Sequence, residues 1–131
     1  MGTKSNYLEN KLLDGVLRNT QYTVPTTVYS ALFTVIPSAA TGGTEVTNAS
    51  SGYTRVATTF CTAGATAAGQ SVNVSGLTFV TAAAAYTVVG WAVMDAITAG
   101  NLLYWATVTT IAFAIGDQAT IAVGGAVVTE A

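Results

Sequence analysis

Thr87-Val88-Val89-Gly90-Trp91-Ala92-Val93-Met94-Asp95-Ala96 and Leu102-Leu103-Tyr104-Trp105-Ala106-Thr107-Val108-Thr109, joined by Ile97-Thr98-Ala99-Gly100-Asn101, decide the fold. Both runs are rich in Val, Thr and aromatic residues, which suit a pleated, half-buried surface. The five-residue link contains Gly100, which adopts the positive φ a hairpin turn needs without steric cost. Trp91, Met94, Leu103, Tyr104 and Trp105 lie within this one stretch, so the hairpin is expected to form the centre of the core.

Working outward, the same signals recur at short intervals. Downstream, Phe113–Ile115, a turn at Gly116-Asp117, Thr120–Val123 and Ala126–Thr129 read as closing strands. Upstream, Thr27–Ile36 is a strand stopped by Pro37, followed by a loop over Ser38–Gly43 and a short strand at Thr44–Val46. Polar turn material at Asn48–Gly52 separates this from a strand over Tyr53–Phe60. Thr62–Ser71 is small, uncharged and loop-like, and Val72–Val80 reads as one further strand. Ala82–Ala85 is too short to hold a helix alone. Several short strands with turn signals between them predict a mainly β fold, an antiparallel β-sandwich of jelly-roll-like character, with one N-terminal α-helix. At 131 residues the chain is one domain, 1–131.

The helix is predicted over residues 5–19. Tyr7, Leu8, Leu12, Leu13, Val16 and Leu17 recur at helical spacing through Asn6–Arg18. Asn6 with Glu9 resembles a capping box, Asp14 and Arg18 form an i,i+4 pair, and Asn19 suits a left-handed stop. The spacing predicts burial of Leu8, Leu12, Leu13 and Leu17. Whether that face packs on its own domain or docks on a neighbouring subunit is open, and Tyr7, Leu8 and Leu12 are the interaction candidates.

Charge is scarce. Ten of the 131 residues are charged, and five of them, Lys4, Glu9, Lys11, Asp14 and Arg18, sit in the first eighteen. Val56–Met94 carries none. A free domain usually carries about 25% charged residues, and charge keeps copies apart. So neutral a surface predicts a homo-oligomer, most simply a trimer. With no basic cluster and a net charge of −2, an electrostatic grip on nucleic acid or on an anionic membrane is excluded. The uncharged stretch Gly76–Met94 is broken by Thr78, Thr81, Thr87 and Gly90 and lacks flanking Lys or Arg, so two strands explain it better than a membrane span. The charged, amphipathic N-terminus is not a signal peptide, which leaves the sequons Asn48-Ala49-Ser50 and Asn73-Val74-Ser75 without meaning.

No catalytic constellation is visible. The chain has no histidine, the commonest general base and metal ligand, and Cys61 is its one cysteine. Zinc and iron–sulfur sites have no ligand set, Cys61 has no imidazole partner, and no disulfide can form within the chain. Gly64–Ser71 resembles a phosphate loop by spacing, but Gln70 stands where lysine is needed. Asp95 and Asp117 each adjoin a turn, where aspartate commonly bonds its own backbone. Trp91, Tyr104 and Trp105 fit a core better than a sugar platform. The expectation is a non-enzyme without cofactor or metal.

Two stretches carry a resemblance. Asn6–Asp14, with Thr27-Val28-Tyr29 and Gly42-Gly43-Thr44-Glu45-Val46, is similar to the start of a family of small tailed-bacteriophage virion structural proteins, usually labelled tail fibre protein. Val89-Gly90-Trp91-Ala92, Asp95-Ala96, Gly100–Trp105 and Gly116-Asp117 resemble the same family's hairpin and following turn. The resemblance implies a structural component of a phage particle and supplies no catalytic residues. Together with the neutral surface it leads to the expectation of a capsid decoration or cement protein, assembled in the bacterial cytoplasm and seated on the capsid exterior against the major capsid protein. The alternative is a tail fibre or baseplate adhesin module binding host surface glycans.

Overall fold

The computed structural model describes residues 3–47 and 51–130. The expected turn Asn48–Gly52 and the sequon at Asn48 thus lie wholly or largely outside the described residues. In chain order the elements are β1 (Thr3–Lys4), α1 (Asn6–Arg18), β2 (Val28–Val35), β3 (Thr44–Glu45), β4 (Val56–Thr58), β5 (Gln70–Val72), β6 (Leu77–Thr78), β7 (Tyr86–Met94), β8 (Leu102–Phe113), β9 (Thr120–Ile121) and β10 (Val127–Thr129).

The hairpin β7–β8 stands at the middle of a six-stranded antiparallel sheet of order β1-β8-β7-β2-β3, with β4 also paired to β2. Register explains how its side chains divide. Leu32, Trp91 and Ala106 are successive cross-strand partners, and all three join the main core. Their chain neighbours Ala31, Ala92 and Trp105 are partners too, and alternation turns them to the opposite face. There they form a smaller cluster with Phe33, Met94 and Leu102. Two ribbons, β5–β10 and β6–β9, form the second layer of this sandwich-like arrangement. Phe79, Ala119 and Ala126, which flank the ribbon strands, fill the core with Val88 and Leu103.

The hairpin turn is built as its sequence demands. Asp95 Oδ1 accepts from the Asn101 amide at 2.6 Å and Oδ2 from Asn101 Nδ2 at 2.8 Å. Gly100 has φ +74°, and a Cβ there would stand 2.3 Å from Asp95 Oδ1, so no other residue fits. Ala99 also takes a positive φ of 51°.

Three expectations change in detail. Val72–Val80 is not one strand, because Asn73 breaks it. Asn73 is fully buried; its Nδ2 donates to the carbonyls of Ser75 and Ala122 at 2.8 and 3.0 Å, and its Oδ1 accepts from the Ala126 amide at 2.9 Å. The side chain ties two loops together, which also removes it as a glycan acceptor. Tyr53–Phe60 narrows to β4 and an isolated bridge of Phe60 to Asn73. The strand expected at Phe113–Ile115 does not form: Phe113 is the last residue of β8 and Ile115 is already in the turn, while β8 is longer than predicted and carries two extra residues opposite Val88–Gly90. That irregularity leaves Thr107–Ala112 exposed.

The helix spans Asn6–Arg18, but Ser5 caps it rather than Asn6. Ser5 Oγ accepts from the Leu8 amide at 3.2 Å and donates to the Leu102 carbonyl. Asn19 closes it in the left-handed conformation, with φ 53°. Only the first turn is tied down. The Ser5 amide donates to Leu103 O and the Asn6 amide to Ala39 O, both at 2.9 Å, and Leu8 is buried. The expected burial of Leu12, Leu13 and Leu17 is not found, for they are 37, 56 and 74% exposed and Val16 is 80% exposed. Periodicity specified an apolar face and not what covers it.

Candidate functional site

The face left open on α1 is the first candidate. Leu12, Leu13, Val16 and Leu17 line a groove of about 460 Å³ whose polar edge is Lys4, Glu9 and Glu130. Lys4 Nζ pairs with Glu130 Oε2 at 2.5 Å, and Tyr104 donates its hydroxyl proton to Glu130 Oε1 at 2.7 Å. Burial works against the Glu130 charge, yet the Lys4 ammonium and the Tyr104 hydroxyl outweigh it and hold the carboxyl below its ordinary value. The same burial, reinforced by Glu130, pushes the Tyr104 phenol up. Of the sequence-derived candidates, Leu8 roots the helix in the core, and Tyr7 is half-buried edge-on to Tyr22 at 6.5 Å with Lys11 Nζ 5.7 Å from its ring. Leu12 is on the exposed stripe, which Leu13, Val16 and Leu17 extend.

The second candidate is a cleft of about 290 Å³ at the far end of β8. Trp91, Val108, Ile111, Phe113, Ile121 and Val127 contribute to its walls, and no charged residue lines it. It opens where β8 runs past the ribbons. An uncharged apolar cleft takes aliphatic or aromatic groups and disfavours anions and sugars.

Sequence reasoning missed a third feature. Arg55, with its side chain 7% exposed, makes a bidentate pair with Glu45, Nη2–Oε1 at 2.8 Å and Nε–Oε2 at 2.9 Å. Its Nη1 donates to the carbonyls of Ala96 and Ala99 at 2.6 and 2.8 Å, which fastens the hairpin turn to β3. Tyr53 donates to Glu45 Oε2 at 2.7 Å and its oxygen accepts from the Leu32 amide at 3.0 Å. The signal was available: Glu45 and Arg55 are the only charges between Asn19 and Met94. The network has no free acid or base. Hydrogen bonding to Glu45 raises the Arg55 pKa further, and burial pushes the Tyr53 phenol well above its ordinary value.

These shifts give a pH prediction. Below about pH 10 the Tyr53 phenol is neutral in both folded and unfolded chains, and the network's stability is fully present. Above that pH the unfolded chain ionises first, so stability falls by up to ~1.4 kcal/mol per pH unit for this residue. Urea melts between pH 8 and 11 should show this decline, and Tyr53→Phe should make it shallower, leaving the part contributed by the other raised phenols, Tyr22, Tyr86 and Tyr104. A wild-type stability that held level to pH 11 would contradict the burial of the phenol.

The other candidates resolve into local roles. Asp95 holds its own hairpin turn, and Asp117 Oδ2 accepts from the Ala114 amide at 2.8 Å in the following one. The Thr62–Gly69 loop is exposed, and its amides close turns: Gly64 donates to Gln70 O at 2.8 Å and Ala65 to Thr62 O at 3.1 Å. Cys61 is half-buried beside Ser71 and Val72. Trp91 is buried and Trp105 half-buried, so neither ring is presented as a flat platform. Among the described residues, no group of three or more His, Cys, Asp or Glu could hold a metal ion, and no helix is long and apolar enough to cross a membrane.

A family model described as podophage GP4 fiber I protein gp80 matches residues 3–129. No curated protein matches the chain.

Proposed function

The chain belongs to the podophage GP4 fiber I protein gp80 family, a family of phage virion structural proteins, and from that premise we propose that it is a non-catalytic, homo-oligomeric module of a virion fibre, held to its neighbours through α1. The observation that carries this reading is the apolar stripe Leu12, Leu13, Val16 and Leu17, left uncovered on a helix fixed only at its root. Four aliphatic side chains facing water in a row serve an interface. A module of this kind adds mass and contact without chemistry, which fits the absence of histidine and the turn roles of Asp95 and Asp117.

A second reading, decoration of the capsid exterior against the major capsid protein, keeps support from the fold. The described residues form one sandwich-like body with no shaft and no repeat. Copy number and position separate the two. Gold labelling of purified virions should place the chain on fibres at the tail vertex, in tens of copies or fewer. Labelling spread over the whole shell, with capsids that break at lower temperature when the chain is missing, would refute the fibre reading and establish the decoration one.

A further inference from the structure

Glu45 and Arg55 do more than fasten the hairpin turn, for both also line a recess of about 230 Å³ between β3 and that turn. We propose that this recess binds a neutral sugar through two neighbouring hydroxyls, the sugar being free or the terminal residue of a glycan. Such a site would serve a fibre module and a capsid module alike. It uses none of the rings of Trp91, Tyr104 and Trp105.

Unused hydrogen-bonding capacity points to the ligand. A guanidinium has five N–H donors. Arg55 spends four of them: Nε on Glu45 Oε2, both on Nη1 on the carbonyls of Ala96 and Ala99, and one on Nη2 on Glu45 Oε1. The second N–H of Nη2 has no partner among the described residues. Glu45 is used just as unevenly. Its Oε2 accepts from both Arg55 and Tyr53, whereas Oε1 accepts from Arg55 alone among the described residues. An open donor and an open acceptor thus stand side by side, with Nη2 and Oε1 2.8 Å apart. The Arg55 side chain is 7% exposed, and an unmade bond to a buried charged group is costly, so a ligand that makes it is favoured.

The two N–H bonds of Nη2 diverge in the guanidinium plane. One hydroxyl therefore cannot meet both open atoms. Two neighbouring hydroxyls can, one accepting from Nη2 and the other donating to Oε1. Charge narrows the class further. The carboxylate and the guanidinium offset each other, and no other charged side chain lines the recess. A carboxylate or phosphate would meet Glu45, and an ammonium would meet Arg55. Thr54 and Thr98 add hydroxyls to the wall, while Val46 and the half-exposed Ile97 add apolar surface for ring C–H groups. The volume is below the ~300–1,000 Å³ of sites for drug-sized ligands, which suits a single sugar ring. The recess is also preformed. Arg55 holds the carbonyls of Ala96 and Ala99, and Asp95 holds the Asn101 amide, which together keep Ala99 at its unfavourable φ of 51°.

Amide NMR of isotope-labelled protein tests the site. The probes are the methyl glycosides of glucose, galactose, mannose and N-acetylglucosamine, with glucuronate, glucosamine and propionamide as contrasts. At least one neutral glycoside should move the signals of Thr54, Arg55 and Thr98–Asn101 in a saturable way, and the two charged sugars should not. Deoxy analogues of that glycoside should bind ~10-fold or more weakly when either of two adjacent hydroxyls is missing, the loss of one hydrogen bond to a charged group. Thr98→Trp fills the recess and leaves Glu45 and Arg55 in place. Thr98 is exposed, so the variant should melt with the wild type while its affinity falls by a similar factor. Equal affinity for the methyl glycoside and the free sugar would support the end of a glycan as the source; preference for the free sugar would support the free molecule. No saturable shift at these amides up to the solubility of each sugar would overturn the proposal. So would shifts confined to another part of the chain, tighter binding of a charged sugar or of propionamide, or an unchanged affinity in Thr98→Trp.

Discussion

Glu45→Ala is expected to lower stability by about 3–5 kcal/mol, the cost of leaving a buried charge without its partner. The Arg55 guanidinium would keep the carbonyls of Ala96 and Ala99 as acceptors but lose both bonds to the carboxylate. Tyr53 would lose its acceptor in the same change. Arg55→Ala should cost less, because Glu45 is 24% exposed at its side chain and water can solvate it. Arg55→Lys should resemble Arg55→Ala more than the wild type, since an ammonium cannot bridge both carboxylate oxygens and the two turn carbonyls in one plane. Thermal or urea melts of the three variants give the order directly. A Glu45→Ala protein that melted within ~0.5 kcal/mol of the wild type would show that the pair lies in water, contrary to its burial. Because Arg55 grips the turn, the loss should also appear as faster amide exchange at Ala99–Asn101.

Trp91→Ala is the other large effect, expected at about 3–5 kcal/mol. Its ring is 5% exposed and lies between Leu32 and Ala106 on neighbouring strands, so truncation opens a cavity on the central strand of the sheet. Trp91→Phe should cost clearly less. It keeps most of the volume and removes an indole N–H that is buried without an acceptor among the described residues. Trp105 provides the internal control. It is half-buried in the smaller cluster on the opposite face, so Trp105→Ala should fall well below Trp91→Ala. Equal losses at the two positions would contradict this division of the sheet faces.

The hairpin was legible in the sequence because its signals agree at every level. β-branched residues, a Gly at the turn and an aromatic cluster all point to the same element. The helix was legible for the same reason, down to its Asn19 stop. What escaped was whatever depends on distant residues. Asn73 reads as a strand residue until Ala122 and Ala126 are seen to be its partners. β1 is two residues long and exists only because Trp105 and Tyr104 lie opposite it. The helix face illustrates the limit most directly. Leu12, Leu13 and Leu17 have the spacing of buried residues, but spacing is silent on whether the cover comes from the same chain. The Glu45–Arg55 pair lay in plain view as two lone charges in a neutral stretch. Ten residues of separation gave no hint that they meet.

The Thr62–Gly69 loop bears on how such a particle can be altered. Its base is clasped by backbone bonds, Cys61 to Val72 O at 2.9 Å and Glu130 to Gly69 O at 2.7 Å, while all eight residues above are exposed. Loop length costs little entropy once the ends are fixed, about 0.6 kcal/mol per doubling. A foreign peptide grafted between Gly64 and Ala65 would therefore leave the sheet, the cleft and the helix undisturbed. On the virion it would be present in as many copies as the subunit itself.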